Sequence, residues 1–304
     1  MSNIVIAIPT FKRPKMLSDL IISIAESEFD RALIDDVRII VVDNDIDKSA
    51  QEIINRFMVE FQDKFKIHYY NYPIKGLVNV RNELLKKSLG LRPDFIVFID
   101  DDEFVSKEWL NELVKSIVIN KVDAARGPVI AKLPHNNFKA GTLKLFERET
   151  HKESIPLQNW TTGNLILRRK SLEKYNVWFD IRFNSVGSED TYFGTQMTKK
   201  GAKIIWSSKA IVYETIPETR TKIKWFINRR FRGASMFTYI LKLERSNLKI
   251  IKKMAISFAY IIYGIITLAF ILTPFKIKYL GLLKITEGIG GVAGLFNIQY
   301  KEYK

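Results

Sequence analysis

The chain has 304 residues, of which 47% are hydrophobic and 27% charged, and its formal net charge is +15 at pH 7. This composition is ordinary for a folded protein with a packed core. Cysteine is absent, which excludes disulfides and thiolate zinc sites. Residues 199–253 hold 15 lysines and arginines against three acidic residues. Such a basic segment indicates a polyanionic partner, which can be nucleic acid, a phosphorylated ligand or an anionic membrane.

Apolar strands alternate with amphipathic helices from the N-terminus onward. Strands are predicted at residues 4–8, 37–42, 65–70 and 95–99, and the helices between them at residues 16–27, 50–61 and 77–88. This alternation predicts an α/β fold with a mainly parallel central sheet flanked by helices. Right-handed crossovers place the strand ends along one edge of the sheet. Asp43, which follows the second strand, should therefore share a cleft with the acids that follow the fourth.

Residues 124–214 are more mixed. A loop enters a strand at residues 161–169, a helix begins at residues 187–190 and runs to about residue 200, and strands follow at residues 203–206 and 210–213. We predict a catalytic domain over residues 1–245 and hydrophobic, membrane-associated helices over residues 246–304.

The C-terminal segment is unusually apolar. Residues 254–273 contain no charged side chain, and lysines bracket this run. A helix of this length is about long enough to cross a bilayer. A weaker apolar stretch at residues 279–296 is interrupted by Lys284 and Glu287. One alternative is a hydrophobic helix buried in a second domain. Because lysines lie at both ends, the charge pattern does not decide the membrane topology. Two full spans and a re-entrant or in-plane hairpin are both possible.

The most informative segment is residues 95–103, where five apolar residues lead into four carboxylates. A strand buried on both faces fits the apolar half, and open α/β sheets bind ligands at the carboxyl ends of such strands. Alternate side chains of an extended segment point the same way, so Asp100 and Asp102 can face one divalent cation. Oxygen ligands suit Mg²⁺ or Mn²⁺. The alternative is a solvated acidic turn that caps the next helix.

Five motifs in order resemble glycosyltransferase family 2, which has the GT-A nucleotide-sugar-binding fold. They are Ile8-Pro-Thr-Phe-Lys-Arg13, Val42-Asp43, Gly76-Leu-Val-Asn-Val-Arg-Asn82, Asp100-Asp101-Asp102 and Glu189-Asp190. The segment from Glu214 to Gly233 is most similar to bacterial exopolysaccharide (succinoglycan-type) members. The resemblance implies a D-x-D metal motif, inversion at the anomeric carbon, a base in the Glu-Asp pair, and donor binding by Pro9, Thr10, Arg13, Asp43, Arg81, Asn82, Asp100 and Asp101.

Candidate roles also follow from the residue types. Asp190, near a helix N-terminus, is the expected base, while Glu189 can equally compensate the helix dipole. Thr162, Gly163 and Asn164 are expected to line the donor-sugar or acceptor pocket, with a structural turn as the alternative. Two basic residues can clamp a diphosphate or a lipid-linked pyrophosphate, or attract lipid head groups. These are Arg229 and Arg232, three apart on a predicted helix at residues 223–237.

We therefore expect an inverting hexosyltransferase that uses a nucleotide-diphosphate sugar, expected to be UDP-linked. The expected acceptor is lipid-linked or polysaccharide, in surface polysaccharide biosynthesis, at the cytoplasmic face of the inner or plasma membrane and in contact with membrane lipid. One alternative is a nucleotidyl- or phosphotransferase-type metal enzyme, although no P-loop motif occurs. A nucleic-acid-binding protein is less consistent with a basic segment that adjoins an apolar run, so we expect no nucleic acid.

Overall fold

The computed structural model describes residues 1–134, 145–158, 160–269 and 275–300. Contacts within the chain divide it into two units. The first contains residues 1–132, 147–184 and 189–215, and the second contains the described parts of residues 133–146, 185–188 and 216–304. The predicted domain boundary at residue 245 stays a prediction, and the contacts group residues 216–245 with the second unit.

The strands all lie in the first unit. They are β1 (Ser2–Thr10), β2 (Ile34–Asp43), β3 (Lys66–Asn71), β4 (Phe95–Phe98), β5 (Glu103–Val105), β6 (Ala124–Arg126), β7 (Val129–Lys132), β8 (Leu165–Arg168), β9 (Ile204–Trp206) and β10 (Val212–Thr215). Seven form the main sheet in the order β3-β2-β1-β4-β8-β6-β9. Neighbouring strands of this sheet are parallel, except that β8 is antiparallel to both β4 and β6. The predicted mainly parallel α/β sheet is therefore confirmed.

A smaller sheet has the order β5-β10-β7. Strand β10 pairs antiparallel with β5 and parallel with β7, and its register places Glu214 opposite Glu103. Since β5 begins at Glu103, this sheet starts where the acidic run ends.

Helices cover the main sheet of the first unit. They are α1 (Pro14–Glu26), α2 (Gln51–Glu60), α3 (Leu77–Gly90), α4 (Trp109–Ile119), α5 (Arg169–Tyr175) and α6 (Glu189–Lys199). Helix α1 illustrates why they form: Pro14 occupies the first turn, where its missing N–H costs nothing, and Leu17, Leu20, Ile21 and Ile24 recur at helical spacing and are buried.

The central strands β1, β2 and β4 are buried along nearly their whole length, as expected for parallel strands covered on both faces. Thr10, the last residue of β1, pairs in register with Asp43, the last residue of β2. Ala7 of β1 pairs with Phe98, the last residue of β4. The sheet therefore brings the ends of three strands to one edge.

The second unit contains three long helices, α7 (Ile223–Leu243), α8 (Asn247–Ala269) and α9 (Phe275–Leu295). Residues 223–237, predicted as helical, fall within α7. The uncharged run begins inside α8, and its residues 270–273 lie outside the described part of the chain. Among the described residues, α8 alone is long and apolar enough to cross a membrane.

Candidate active site

The acidic run forms a tight turn at the end of β4. The Glu103 N–H donates to the carbonyl of Asp100 (3.2 Å), and the Asp100 N–H donates to the Glu103 side chain (3.0 Å). Glu103 is buried, and burial together with repulsion from Asp100, Asp102 and Glu214 raises its pKa well above the usual value. The turn therefore crowds acidic groups in a place where water screens charge poorly, which disfavours the charged form of Glu103.

The loop after β1 holds two of these carboxylates. The Thr10 hydroxyl donates to Asp101 (2.9 Å), while Nη1 of Arg13 contacts Asp101 (2.9 Å) and Asp102 (3.1 Å). Burial raises the pKa of Asp101 to about 6; Arg13 opposes that shift and Asp102 adds to it. Burial lowers the pKa of Arg13, but its carboxylate neighbours outweigh this and raise it overall. Thr10 and Arg13 thus bind the acidic turn directly.

Arg81 of α3 joins the turn to the acid pair of α6. Its buried guanidinium contacts Asp100 through Nη2 (3.2 Å) and Glu189 through Nη1. Burial raises the pKa of Glu189 to about 7; Arg81 opposes this rise and Asp190 adds to it. Asp100 and Glu189, which are 89 positions apart in the sequence, are thereby held around the Arg81 guanidinium.

Glu189 and Asp190 occupy the first turn of α6 but differ in exposure. Glu189 is 3% exposed, whereas Asp190 is half-buried. The Asp190 carboxylate accepts hydrogen bonds from the N–H (2.6 Å) and hydroxyl (3.3 Å) of Thr191. Of the two predicted catalytic residues, Asp190 is the more exposed to solvent, and the catalytic role of both stays a prediction.

Several predicted donor-binding residues are occupied by internal hydrogen bonds. The fully buried Asp43 accepts from the Asp45 and Ala50 N–H groups (2.9 and 3.0 Å) and from the Tyr69 hydroxyl (2.9 Å). The side-chain amide of Asn82 exchanges two 2.9 Å hydrogen bonds with the backbone of Phe179. Their donor-binding roles stay predictions, and these contacts show that both side chains fix the surrounding backbone.

The segment before β8 contains three further predicted residues. Asn164 is fully buried, accepts from Nε1 of Trp109 (2.7 Å) and donates to two backbone carbonyls, which supports the structural-turn alternative. Thr162 is 2% exposed, and its hydroxyl has no hydrogen-bond partner among the described residues. Gly163 lies against the acidic turn: a Cβ there would be 2.9 Å from Oε1 of Glu103 and 3.8 Å from Oδ2 of Asp100.

The remaining predicted donor-binding residues are placed as follows. Pro9 lies within β1, in register with Val42 of β2, and is buried. Arg229 and Arg232 lie on α7 in the second unit, and the Arg229 guanidinium is 4.9 Å from the centre of the Trp225 ring. The donor-binding role of these arginines stays a prediction.

Comparison with known families agrees with this geometry. The family described as Glycosyl transferase family 2 matches residues 5–176, which include the loop after β1, the Arg81 helix and the acidic turn. The chain belongs to glycosyl transferase family 2. A second description, Glycosyl transferase family group 2, matches residues 95–283. The resemblance seen in the motifs is therefore confirmed, and the protein is a glycosyltransferase.

Three proteins illustrate the relationship. The chain is 31% identical over 238 residues to the succinoglycan biosynthesis protein ExoM of Rhizobium meliloti (strain 1021), covering 76% of this chain and 72% of that protein. It resembles the structure of S. aureus TarS 1–349 in complex with UDP-GlcNAc (TM-score 0.54, 15% identity, covering 98% and 93% of the two chains). It also resembles mannosyltransferase PcManGT from Pyrobaculum calidifontis in complex with GDP-Man and Mn²⁺ (TM-score 0.57, 15% identity, 97% and 74%). These likenesses confirm the predicted GT-A fold.

The acidic turn of this family 2 enzyme fits a divalent cation. Among the residues that the structure describes, no three carboxylate or imidazole groups converge as a complete set of protein ligands. Mg²⁺ in such sites takes only one or two carboxylates and completes its shell with waters and substrate phosphates. Asp100 and Asp102 supply two carboxylates, and a cation there would relieve the repulsion from neighbouring acids that, after burial, raises the pKa of Glu103. The donor set therefore suits Mg²⁺ or Mn²⁺.

Three residues that shape this site have no role predicted from the sequence. They are Glu103, Glu214 and Arg148. Glu103 closes the acidic turn, Glu214 lies opposite it on β10, and the Arg148 guanidinium forms an ion pair with Glu214. The position of Glu103 at the end of the acidic run was a signal for its role. Nothing in the sequence pattern connects Arg148 with the site.

We expect the Glu103 side chain to be required as a hydrogen-bond acceptor. Glu103→Gln keeps an oxygen for the Asp100 N–H, whereas Glu103→Ala leaves that donor without its acceptor. The alanine variant should therefore be less stable than the glutamine variant by about 1–3 kcal/mol. Urea unfolding in EDTA, followed by tryptophan fluorescence, measures the difference.

The matched control is the same pair of substitutions at exposed Glu26, where the two variants should agree within about 0.5 kcal/mol. Equal stability of Glu103→Ala and Glu103→Gln would contradict the role of Glu103 in the turn.

Proposed function

We propose that the protein transfers a sugar from a UDP-linked donor to a lipid-linked or polysaccharide acceptor in surface polysaccharide biosynthesis, with inversion at the anomeric carbon. One observation carries the proposal: Arg81 links Asp100 of the acidic turn to Glu189 beside Asp190. A charge-binding turn and a candidate base are thereby held in one network. The likeness to a succinoglycan biosynthesis protein supports the pathway, and the UDP-GlcNAc complex of TarS supports the donor.

The first half of the network suits the diphosphate of the donor. Asp100 and Asp102 would hold Mg²⁺ or Mn²⁺, which would neutralise charge on the departing diphosphate as a Lewis acid. Arg13 and Arg81 orient the carboxylates through the contacts described above. We assign Pro9, Thr10, Arg13 and Asp43 to the nucleotide side of the site. Thr10 connects the nucleotide side with the acidic turn, because it donates a hydrogen bond to Asp101 and pairs in register with Asp43.

The second half of the network suits the acceptor. In an inverting displacement, the acceptor hydroxyl loses its proton as its oxygen attacks the anomeric carbon and the nucleotide diphosphate leaves. We assign Asp190 as the group that takes this proton, because it is half-buried at the start of α6. Glu189 is buried against Arg81, so we assign it the task of positioning Arg81 and the helix start.

The remaining assignments concern the sugar and the membrane. The unpartnered, buried hydroxyl of Thr162 and the close approach of Gly163 to Asp100 support a place for both beside the donor sugar. We assign Arg229 and Arg232 to a pyrophosphate group or to lipid head groups, since guanidinium suits phosphate. The exposed apolar α8 supports membrane association, and we place the protein on the cytoplasmic face.

A donor screen tests the proposed function. The full-length protein is incubated with Mn²⁺ and one nucleotide sugar at a time, and release of the free nucleotide is measured with and without a saccharide acceptor. We expect release from one UDP-sugar above the level of an Asp190→Asn variant. Release from a GDP-sugar alone would contradict the UDP assignment, and release from none would contradict the proposed reaction.

Asp102→Asn should abolish metal-dependent nucleotide binding and turnover, because it removes one of the two carboxylates available to the cation. UDP binding is measured by calorimetry with Mn²⁺ and with EDTA, and thermal unfolding checks the fold. The matched control is Asp180→Asn, which changes an aspartate paired with Arg182 outside the network. Full turnover of the unmodified protein in EDTA would rule out the metal role.

Asp190→Asn should lower kcat by about 10²–10⁴-fold, which corresponds to roughly 3–5 kcal/mol of barrier. Donor affinity should stay unchanged, because the proton is taken from the acceptor and not from the nucleotide. Steady-state kinetics with both substrates and donor calorimetry separate the two effects. If donor affinity fell together with kcat, Asp190 would belong to the donor site.

Exposed lysines at the start of α8 should attract anionic lipid. Lys249→Ala with Lys252→Ala should weaken the preference for anionic over neutral vesicles by about 2 kcal/mol, roughly 30-fold, at about 1 kcal/mol per basic residue. Vesicle co-sedimentation measures this preference. The control is Lys170→Ala with Lys209→Ala, two exposed lysines of the first unit. An equal loss in both double variants would show a nonspecific charge effect.

A further inference from the structure

Helix α8 carries its large apolar side chains on the outside of the second unit. Ile251, Phe258 and Ile262 are 66%, 56% and 58% exposed, and their spacing places them on one side of the helix. The buried residues of α8 are small or hydroxylated, namely Ser257, Gly264 and Thr267. A helix that packs against a core in water shows the reverse pattern. The outer side of α8 therefore suits the acyl chains of a lipid.

Small residues also line the contact between α8 and α9. A Cβ at Gly264 would lie 2.4 Å from the Ile285 side chain, and one at Gly288 would lie 2.5 Å from the carbonyl of Ser257. Such close backbone approach is typical of helices that pack within lipid, where burial of large apolar side chains gives no driving force. Helices α8 and α9 thus form one packed pair.

Helix α7 runs beside α9 in the same direction. Phe226 packs on Tyr279 and Leu283 near one end. At the other end, Nζ of Lys242 donates to the carbonyl of Leu295 (2.9 Å). The segment from residue 226 to residue 242 is about 24 Å long at about 1.5 Å per residue, close to the roughly 30 Å thickness of a bilayer core. Any tilt of the α8–α9 pair in a membrane therefore applies to α7 as well.

Charged side chains occur in the second turn of α7 and in the middle of α9. Arg229 and Arg230 of α7 are exposed, Arg230 lies 3.8 Å from Glu287 of α9, and Glu287 lies 3.1 Å from Lys284. If α8 stood upright across the bilayer, its partners would carry these charges into the hydrocarbon, where they are costly. If the three helices lie flat, the charges remain among the head groups and water.

We propose that α8 lies in the plane of an anionic membrane, with its outer side in the acyl boundary and α7 on the water side, and does not cross the bilayer. This inference rests on the proposed membrane association and deepens it. The exposed Lys249 and Lys252 at the start of α8, together with Arg229 and Arg230, match the negative charge of the lipid head groups.

Because the chain has no cysteine, single labels can be introduced without background. Ile251→Cys, Phe258→Cys and Ile262→Cys of the full-length protein are each labelled with an environment-sensitive fluorophore. The labelled proteins are bound to vesicles of phosphatidylcholine and phosphatidylglycerol whose acyl chains are brominated at shallow or deep positions. We expect the same shallow quenching at all three positions.

The matched control is Gly233→Cys on α7, where an added Cβ meets nothing within 4 Å. In the in-plane arrangement this label stays in water and is not quenched. A crossing helix would instead place position 262 about 16 Å from position 251 along the bilayer normal, so that quenching changes steadily from shallow to deep. That result, or deep quenching at position 233, would overturn the in-plane arrangement alone.

The same samples separate this inference from the proposed function. Nucleotide release from the donor is measured on each labelled protein. If the proteins release nucleotide but do not bind vesicles, both the membrane association and the in-plane arrangement are wrong, while the transferase reaction stands. If they bind vesicles with uniform shallow quenching but release no nucleotide, the in-plane arrangement stands and the proposed reaction does not.

Discussion

Repulsion among carboxylates at the end of β4 is the constraint on which the site depends. Asp100, Asp101, Asp102 and Glu103 follow one another within a single turn, and Glu214 lies opposite Glu103 on β10. Buried charges of one sign are stable only when cations compensate them. Arg13 comes from the loop after β1 and Arg81 from α3, so compensation joins elements that are distant in sequence. The same demand for positive charge suits the turn to a metal–diphosphate ligand.

Two glycines make this arrangement possible for steric reasons. Gly163 leaves the space that Oε1 of Glu103 approaches, so a side chain there would force the Glu103 carboxyl group to move. Gly76 has a φ of 113°, and a Cβ on it would collide with Asn184. The Asn184 side chain accepts from the Val78 N–H at the start of α3, the helix that carries Arg81. Both glycines thus serve the placement of charged groups.

The sequence predicts the strands and the position of the acidic run well because their signals are local. The acidic run itself forms a turn and not the extended segment that the sequence suggested, because the Glu103 N–H bonds the Asp100 carbonyl. The sequence predicts the partners of polar residues poorly because those partners are remote. Asn164 bonds Trp109, 55 residues away, and Arg81 pairs with Glu189, 108 residues away. From sequence alone, Asn164 and Arg81 both look like ligand-binding residues beside a strand or helix. Only the fold distinguishes a side chain that fixes the backbone from one that links carboxylates across the site.

The same limit applies to the apolar C-terminal segment. An uncharged run of about 20 residues satisfies the length of a membrane span whether the helix crosses the bilayer or lies along it. The helices packed against it distinguish a crossing from an in-plane orientation, because a helix has the same tilt as the helices that pack along its length. Here α9 contacts α8 through small residues and runs beside α7, which carries Arg229 and Arg230. In the proposed in-plane arrangement, the charge on the neighbour therefore determines the orientation of a helix whose own sequence permits either.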